Sequence, residues 1–246
     1  MTRGRAALAA AAGLLLAAPA LAYLLPATAI LRMAAEARGG LELNAVEATG
    51  ALEWHGAAPP AGGPPSGTAR LLLKTPNRAR LELLSADAAE GERPAAMIKE
   101  ERLAGRGGLE RQPAVAALLR GLVTLLTWPT GAEGQALGVA LARRGVRLDE
   151  VSLGRFNGRL AWVLGGRQND PRSAPRALVD KESWMPLQLV FVDGGVTWDV
   201  RLIDWGSAVG GDRVPRTIEV WKGPELQLRF STEQATANPR LPDALF

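Results

Sequence analysis

Between Leu178 and Ser231 the chain alternates apolar and polar residues in several runs, each closed by a turn signal (LVDKESWMPLQLVFVDGGVTWDVRLIDWGSAVGGDRVPRTIEVWKGPELQLRFS). Period-two alternation bounded by turns is the pattern of half-buried antiparallel strands. The pairing follows from the turns. A two-residue loop at Gly194-Gly195 sets Asp193 opposite Val196, Phe191 opposite Trp198, Leu189 opposite Val200 and Leu187 opposite Leu202. All six large apolar residues then share one side, and Gln188 and Arg201 share the other. A slip by one residue would flip one strand's set, so the register is tightly specified. For the next hairpin, a three-residue loop from Gly223 to Glu225 is preferred over a two-residue loop at Gly223-Pro224. It sets Leu228 opposite Val220 and Phe230 opposite Ile218. The result is a meander with one broad apolar face, which another element has to cover.

The 246 residues suffice for one large all-β domain or two small ones, and 47% hydrophobic with 22% charged residues is a globular composition. There is no Cys, which excludes a disulfide framework, a thiolate metal site and a catalytic thiol. Arg3 and Arg5, the apolar run Ala6 to Ala18 and the small-x-small site Ala20-Leu21-Ala22 read as a secretory signal over residues 1–22, with the mature chain over 23–246. A second cut would follow Ala27-Thr28-Ala29. The alternative, an uncleaved anchor, is opposed by Pro19 and by the shortness of the run, since a spanning helix needs roughly 20 residues. Only four of the 29 basic residues are Lys (Lys74, Lys99, Lys181, Lys222), and the arginines are scattered along the chain. A nucleic-acid footprint needs a basic patch, so no nucleic-acid partner is expected.

Upstream, Thr28 to Arg38 reads as a helix capped by Thr28 and stopped by Gly39-Gly40, and Leu41 to Trp54 as a strand. Gly56 to Gly67 is a Gly/Pro-rich hairpin connection. Ala69 to Lys74 and Arg80 to Leu84 are strands around the turn Thr75 to Arg78, and Ser85 to Pro94 is loop. Ala96 to Arg102 and Gly105 to Arg111 are weaker strands. Pro113 to Leu126 is a helix with Arg120 as its only charge. At about 1.5 Å per residue it is too short to cross a bilayer, and a helix apolar on nearly all sides is a buried one. Glu133 to Arg144 is a further helix, with Leu137, Ala140 and Leu141 inward. Asn157-Gly158 closes a hairpin that sets Leu153 opposite Trp162 and Val151 opposite Leu164.

Little in the chain is equipped for covalent chemistry. The one histidine, His55, lies beside Trp54 at a loop edge, with no nucleophile elbow anywhere. No phosphate loop, dinucleotide fingerprint or HExxH is present. Glu100-Glu101, as adjacent strand residues, would point to opposite faces. The expectation is a non-enzymatic protein without cofactor or metal. Seven Trp against one Tyr mark an apolar excess, and two readings stay open: a filled core, or an apolar ligand cavity roofed by Pro113 to Leu126.

The order of elements resembles the LolA-like family of periplasmic outer-membrane lipoprotein carriers. The resemblance rests on the strand closing in Gly50-Ala51-Leu52 and on Ala69 to Lys74 running into Thr75-Pro76-Asn77-Arg78. It rests also on Leu178 to Leu187 (LVDKESWMPL), on Gly210 to Pro215 (GGDRVP) and on the closing Asn238 to Phe246. It implies a curved, incomplete antiparallel β-barrel under an α-helical lid, a soluble periplasmic monomer and an acyl lipid or lipoprotein as cargo. It also implies an inner-membrane donor complex and an outer-membrane acceptor. On that reading the acyl-chain cavity is lined by Leu187, Leu189, Phe191, Trp198, Val200, Leu202, Leu228 and Phe230, and the lid is Leu118, Leu119, Leu122 and Leu125. The family's arginine before the turn proline, which contacts the lid, is Thr75 here, so Lys74 or Arg70 would supply that contact.

Overall fold

In a computed structural model, residues 24–246 are described except 61–63, 85–88, 90, 130–133, 168–169 and 171–173. The signal segment 1–22, Glu133 and parts of the Gly56–Gly67 and Ser85–Pro94 connections thus lie outside the described residues. The strands are β1 (Ala45–Trp54), β2 (Ser66–Lys74), β3 (Arg78–Leu84), β4 (Ala95–Lys99), β5 (Arg102–Arg106) and β6 (Val151–Phe156), followed by β7 (Arg159–Leu164), β8 (Arg176–Asp180), β9 (Pro186–Asp193), β10 (Val196–Ile203), β11 (Thr217–Lys222) and β12 (Glu225–Ala237). The helices are α1 (Ala27–Gly39), α2 (Pro113–Leu126) and α3 (Gln135–Arg143).

All twelve strands form one antiparallel sheet in the order β5-β4-β3-β2-β1-β12-β11-β10-β9-β8-β7-β6. Sequence neighbours pair except β5 and β6, and β1 pairing β12 joins the two halves. The sheet does not close, because β5 and β6 are its two ends. It is curved. Helix α2 touches β4 at one side and β9 at the other. Seven strand spacings of a flat sheet would span about 34 Å, against about 21 Å for a helix of this length. The half-barrel expected from the resemblance is therefore the observed architecture.

Locally the chain follows its pattern with informative departures. The Gly194-Gly195 hairpin has the expected register: Asp193 pairs Val196, Phe191 pairs Trp198 and Leu189 pairs Val200. The ladder stops at Gln188 and Arg201, however, and does not reach Leu187. The β8–β9 register shifts between Leu178 and Val179, and Pro186, which has no N–H to donate, opens β9. In the last hairpin Val220 pairs Leu228 and Ile218 pairs Phe230, as expected. The loop itself is two residues, because Lys222 pairs Glu225, and a bulge between Val220 and Trp221 restores the register. Glu100 and Glu101 are not strand residues. With φ of 48° and 73° they form the two-residue β4–β5 turn, which needs positive φ at both positions. Helix α1 starts at Ala27 after Pro26, with no side-chain cap, so Thr28 is inside the helix. Strand β1 begins at Ala45, later than Leu41.

Candidate functional site

One face of the sheet carries the helices. Residues of one parity on each strand, such as Leu71, Leu189 and Val220, join α1, α2 and α3 in a single contiguous core. Seven of the eight residues expected to line a cavity are there: Leu189, Phe191, Trp198, Val200, Leu202, Leu228 and Phe230. The eighth, Leu187, is not brought to them. It packs with Phe156, Ala161, Val163 and Leu178 in a separate cluster, as the shifted β8–β9 register requires. The lid residues Leu118, Leu119, Leu122 and Leu125 lie in the main core and are at most 2% exposed. Twelve of the fourteen residues of α2 are buried, so the helix with a single charge is enclosed on nearly all sides.

The sheet and α2 are in direct contact. Gly121 faces Val200 so closely that a Cβ at position 121 would lie 2.7 Å from Val200 Cγ2. At this contact the helix and the sheet leave no space between them.

Among the described residues, four polar contacts hold α2 and the turn just beyond it; the sequence marked Arg120 as the helix's only charge, but none of the partners. Arg120 donates to the Asp193 carboxylate at the β9–β10 turn. Arg144, just past α3, donates to Thr124 Oγ1 at 3.1 Å and to both Glu101 oxygens at 2.8 and 2.6 Å, and its guanidinium lies 5.7 Å from the Phe191 ring centre. In the turn after β2, the Asn77 N–H donates to the Thr127 carbonyl at 2.9 Å. The turn thus reaches the lid through its backbone. Just beyond α2, the Arg38 guanidinium of α1 lies 5.9 Å from the ring centre of Trp128 and 5.6 Å from that of Trp205. Arg38 also donates to the Asp212 carbonyl at 3.4 Å. Burial lowers its pKa to about 10, with nearby Asp212 pulling the other way.

Lys74 and Arg70 do not take the lid-contact role. Lys74 Nζ donates to the Leu241 carbonyl and to Asp243, both at 2.6 Å, pinning the C-terminal segment. Arg70 donates to the buried Glu82 carboxylate at 2.6 and 3.1 Å. Both alternate with the core residues Ala69, Leu71 and Leu73, so they stand on the face away from α2. His55 Nε2 is 3.3 Å from the Glu53 carboxylate, with both side chains well exposed. Among the described residues no cluster of His, Asp or Glu is suited to a metal ion.

An open space lies in the helix layer. A groove of about 740 Å³ runs between α1 and α3. None of the residues expected to line a cavity borders it. No described helix is long and apolar enough to cross a membrane.

No protein-family model matches the chain, and no curated protein matches it. Among solved structures it is similar to a LolA superfamily protein from Nitrosomonas europaea, at 15% identity over 90% of this chain and 97% of that one, with a TM-score of 0.47. It is also similar to a DUF1329 family protein from Desulfovibrio piger, at 9% identity over 90% and 97%, with a TM-score of 0.42. A third is a domain from Vibrio parahaemolyticus described as an outer membrane lipoprotein-sorting protein, at 12% identity over 86% and 94%, with a TM-score of 0.37.

Proposed function

We propose that the protein is a non-enzymatic periplasmic carrier that holds the acyl chains of a lipid or lipoprotein between α2 and the curved sheet. On this reading residues 1–22 are a cleaved signal and 23–246 a single carrier unit that works as a monomer between an inner-membrane donor and an outer-membrane acceptor. The observation that carries the reading is α2 itself. It is an almost uncharged helix laid across an open, curved sheet, and it is tied by a handful of polar contacts near the rim. Swinging α2 away would uncover Leu189, Phe191, Trp198, Val200, Leu202, Leu228 and Phe230 opposite Leu118, Leu119, Leu122 and Leu125. Acyl methylenes would then replace the helix's own side chains, each contributing about 0.8 kcal/mol. The exchange of one apolar surface for another keeps loading and release close in free energy. Native mass spectrometry with solvent extraction of the chain purified from the periplasm tests this. Co-purifying acyl cargo is the expected result; a clean mass together with no uptake of a triacyl lipopeptide overturns it.

The close approach of Gly121 to Val200 favours a second reading, an envelope scaffold that uses the same fold, with a permanently filled core, to bind a protein partner. That reading predicts the clean mass.

A further inference from the structure

We propose that the groove between α1 and α3 is a binding site for a single-chain amphiphile with an anionic head, such as a long-chain fatty acid. It is separate from the space beneath α2 and independent of the carrier reading. Its volume of about 740 Å³ falls in the range of small-molecule pockets, about 300–1,000 Å³. Leu31, Val139, Ala142 and Leu148 give it apolar walls. Val139 is 53% exposed there.

The floor of the groove is set by a glycine in the interior of α3. A Cβ at Gly138 would meet Leu31 Cδ1 at 3.2 Å and Leu148 Cδ1 at 3.6 Å, so the glycine lets these two leucines pack closely against the helix. Glycine inside a helix costs about 0.5–1 kcal/mol relative to alanine. Leu31 also belongs to the main core, so the groove lies directly on it.

The polar groups of the lining set the head group. Thr28 and Gln135 are neutral, and among the described residues that border the groove Arg32 is the only charged one. Arg32 reaches Glu36 at 3.9 Å, but both side chains are more than half exposed. Such a pair holds its arginine weakly. A carboxylate at the mouth could therefore take the guanidinium in a two-pronged contact.

The test is a fluorescence titration with an undecanoic acid that carries a dansyl group at its far end, followed by displacement with palmitate or with uncharged hexadecanol. Wild-type protein should give saturable binding. Val139→Glu and Ala142→Trp, both at exposed positions, should each weaken it at least tenfold with unchanged circular dichroism. Arg32→Glu should weaken palmitate about fivefold, equivalent to ~1 kcal/mol, and leave hexadecanol unchanged. Cross-linking Arg120→Cys to Asp193→Cys, which fastens α2 to the sheet, should leave the titration intact. The proposal is overturned if there is no saturable binding, if both groove variants bind as wild type does, or if the cross-link abolishes binding. The last result would place the probe beneath α2. An equal effect of Arg32→Glu on palmitate and hexadecanol would overturn the anionic head.

Discussion

Gly121 of α2 and Val200 of β10 are in contact at the centre of the layer, with 2.7 to 2.9 Å between the position of a Cβ on Gly121 and three side-chain atoms of Val200. The glycine is what lets α2 lie flat on the sheet. Alanine at this position would gain about 1 kcal/mol of helix propensity and lose about 1–3 kcal/mol to overpacking. One of the atoms it meets is Val200 Cβ, which no rotamer change can move. Gly121→Ala is expected to lower stability in urea unfolding, and a Gly121→Ala/Val200→Ala pair to fall short of the summed single losses by at least about 1 kcal/mol. Additive losses would mean that the helix and the sheet do not touch here.

Arg144 is the most connected of the α2 ties. It joins Thr124, the β4–β5 turn at Glu101 and the Phe191 ring. Arg144→Ala should cost about 1–3 kcal/mol and speed hydrogen exchange across α2. Glu101→Ala removes one half-exposed partner and should cost less than about 1 kcal/mol. Native-state hydrogen exchange resolved along α2 distinguishes a loosened lid from general destabilisation, which would speed all core amides alike.

Arg38 is buried as a charge beside two indole rings. Truncation to alanine removes its stem as well as its charge, and should cost about 2–4 kcal/mol. Arg38→Met keeps most of the volume and is spared the desolvation that lowers the arginine's pKa to about 10. It should cost less than half as much, measured by thermal unfolding of the two variants side by side.

Asp199 stands on the other face of β10, where Gln188 donates to both its oxygens at 2.8 Å and Arg201 donates at 2.8 Å. Burial raises its pKa above the usual carboxylate value; Arg201 and the Gln188 hydrogen bond act against that rise. The folded state therefore holds this proton to higher pH than the unfolded state does. Its contribution is fully present below the unfolded pKa near 3.8 and is lost as pH rises through the folded value. Asp199→Asn should remove that loss, so the stability of the variant relative to wild type should rise with pH from about 4. A flat difference across that window would contradict the assignment.

The sheet was legible wherever a turn fixed a register. Gly194-Gly195 and Asn157-Gly158 placed their strands correctly because positive φ is nearly free at glycine and low in cost at asparagine. Loop length was harder to read. The bulge after Val220 gives the same core pairs as a three-residue loop, and the apolar pattern records only the pairs. The β1–β12 pairing joins strands from opposite ends of the chain, and local alternation does not encode it. The lid leucines stood out by their apolarity, but the ties did not. Arg38 and Arg144 look like any other arginine in a chain rich in them, and Arg120, though the only charge on its helix, does not show its partner. The α1–α3 groove depends on the meeting of two helices about a hundred residues apart, which leaves no periodic mark.

The most direct test of the carrier account uses the absence of native cysteine. Arg120→Cys and Asp193→Cys, joined by a short disulfide-containing bis-maleimide in delipidated protein, would fasten α2 to the β9–β10 turn. The protein is then incubated with a triacyl lipopeptide, gel-filtered and solvent-extracted. The account predicts no retained lipopeptide while the link is intact and wild-type retention after reduction. Equal retention with the link in place would contradict it, because the cargo would then be held somewhere other than beneath α2.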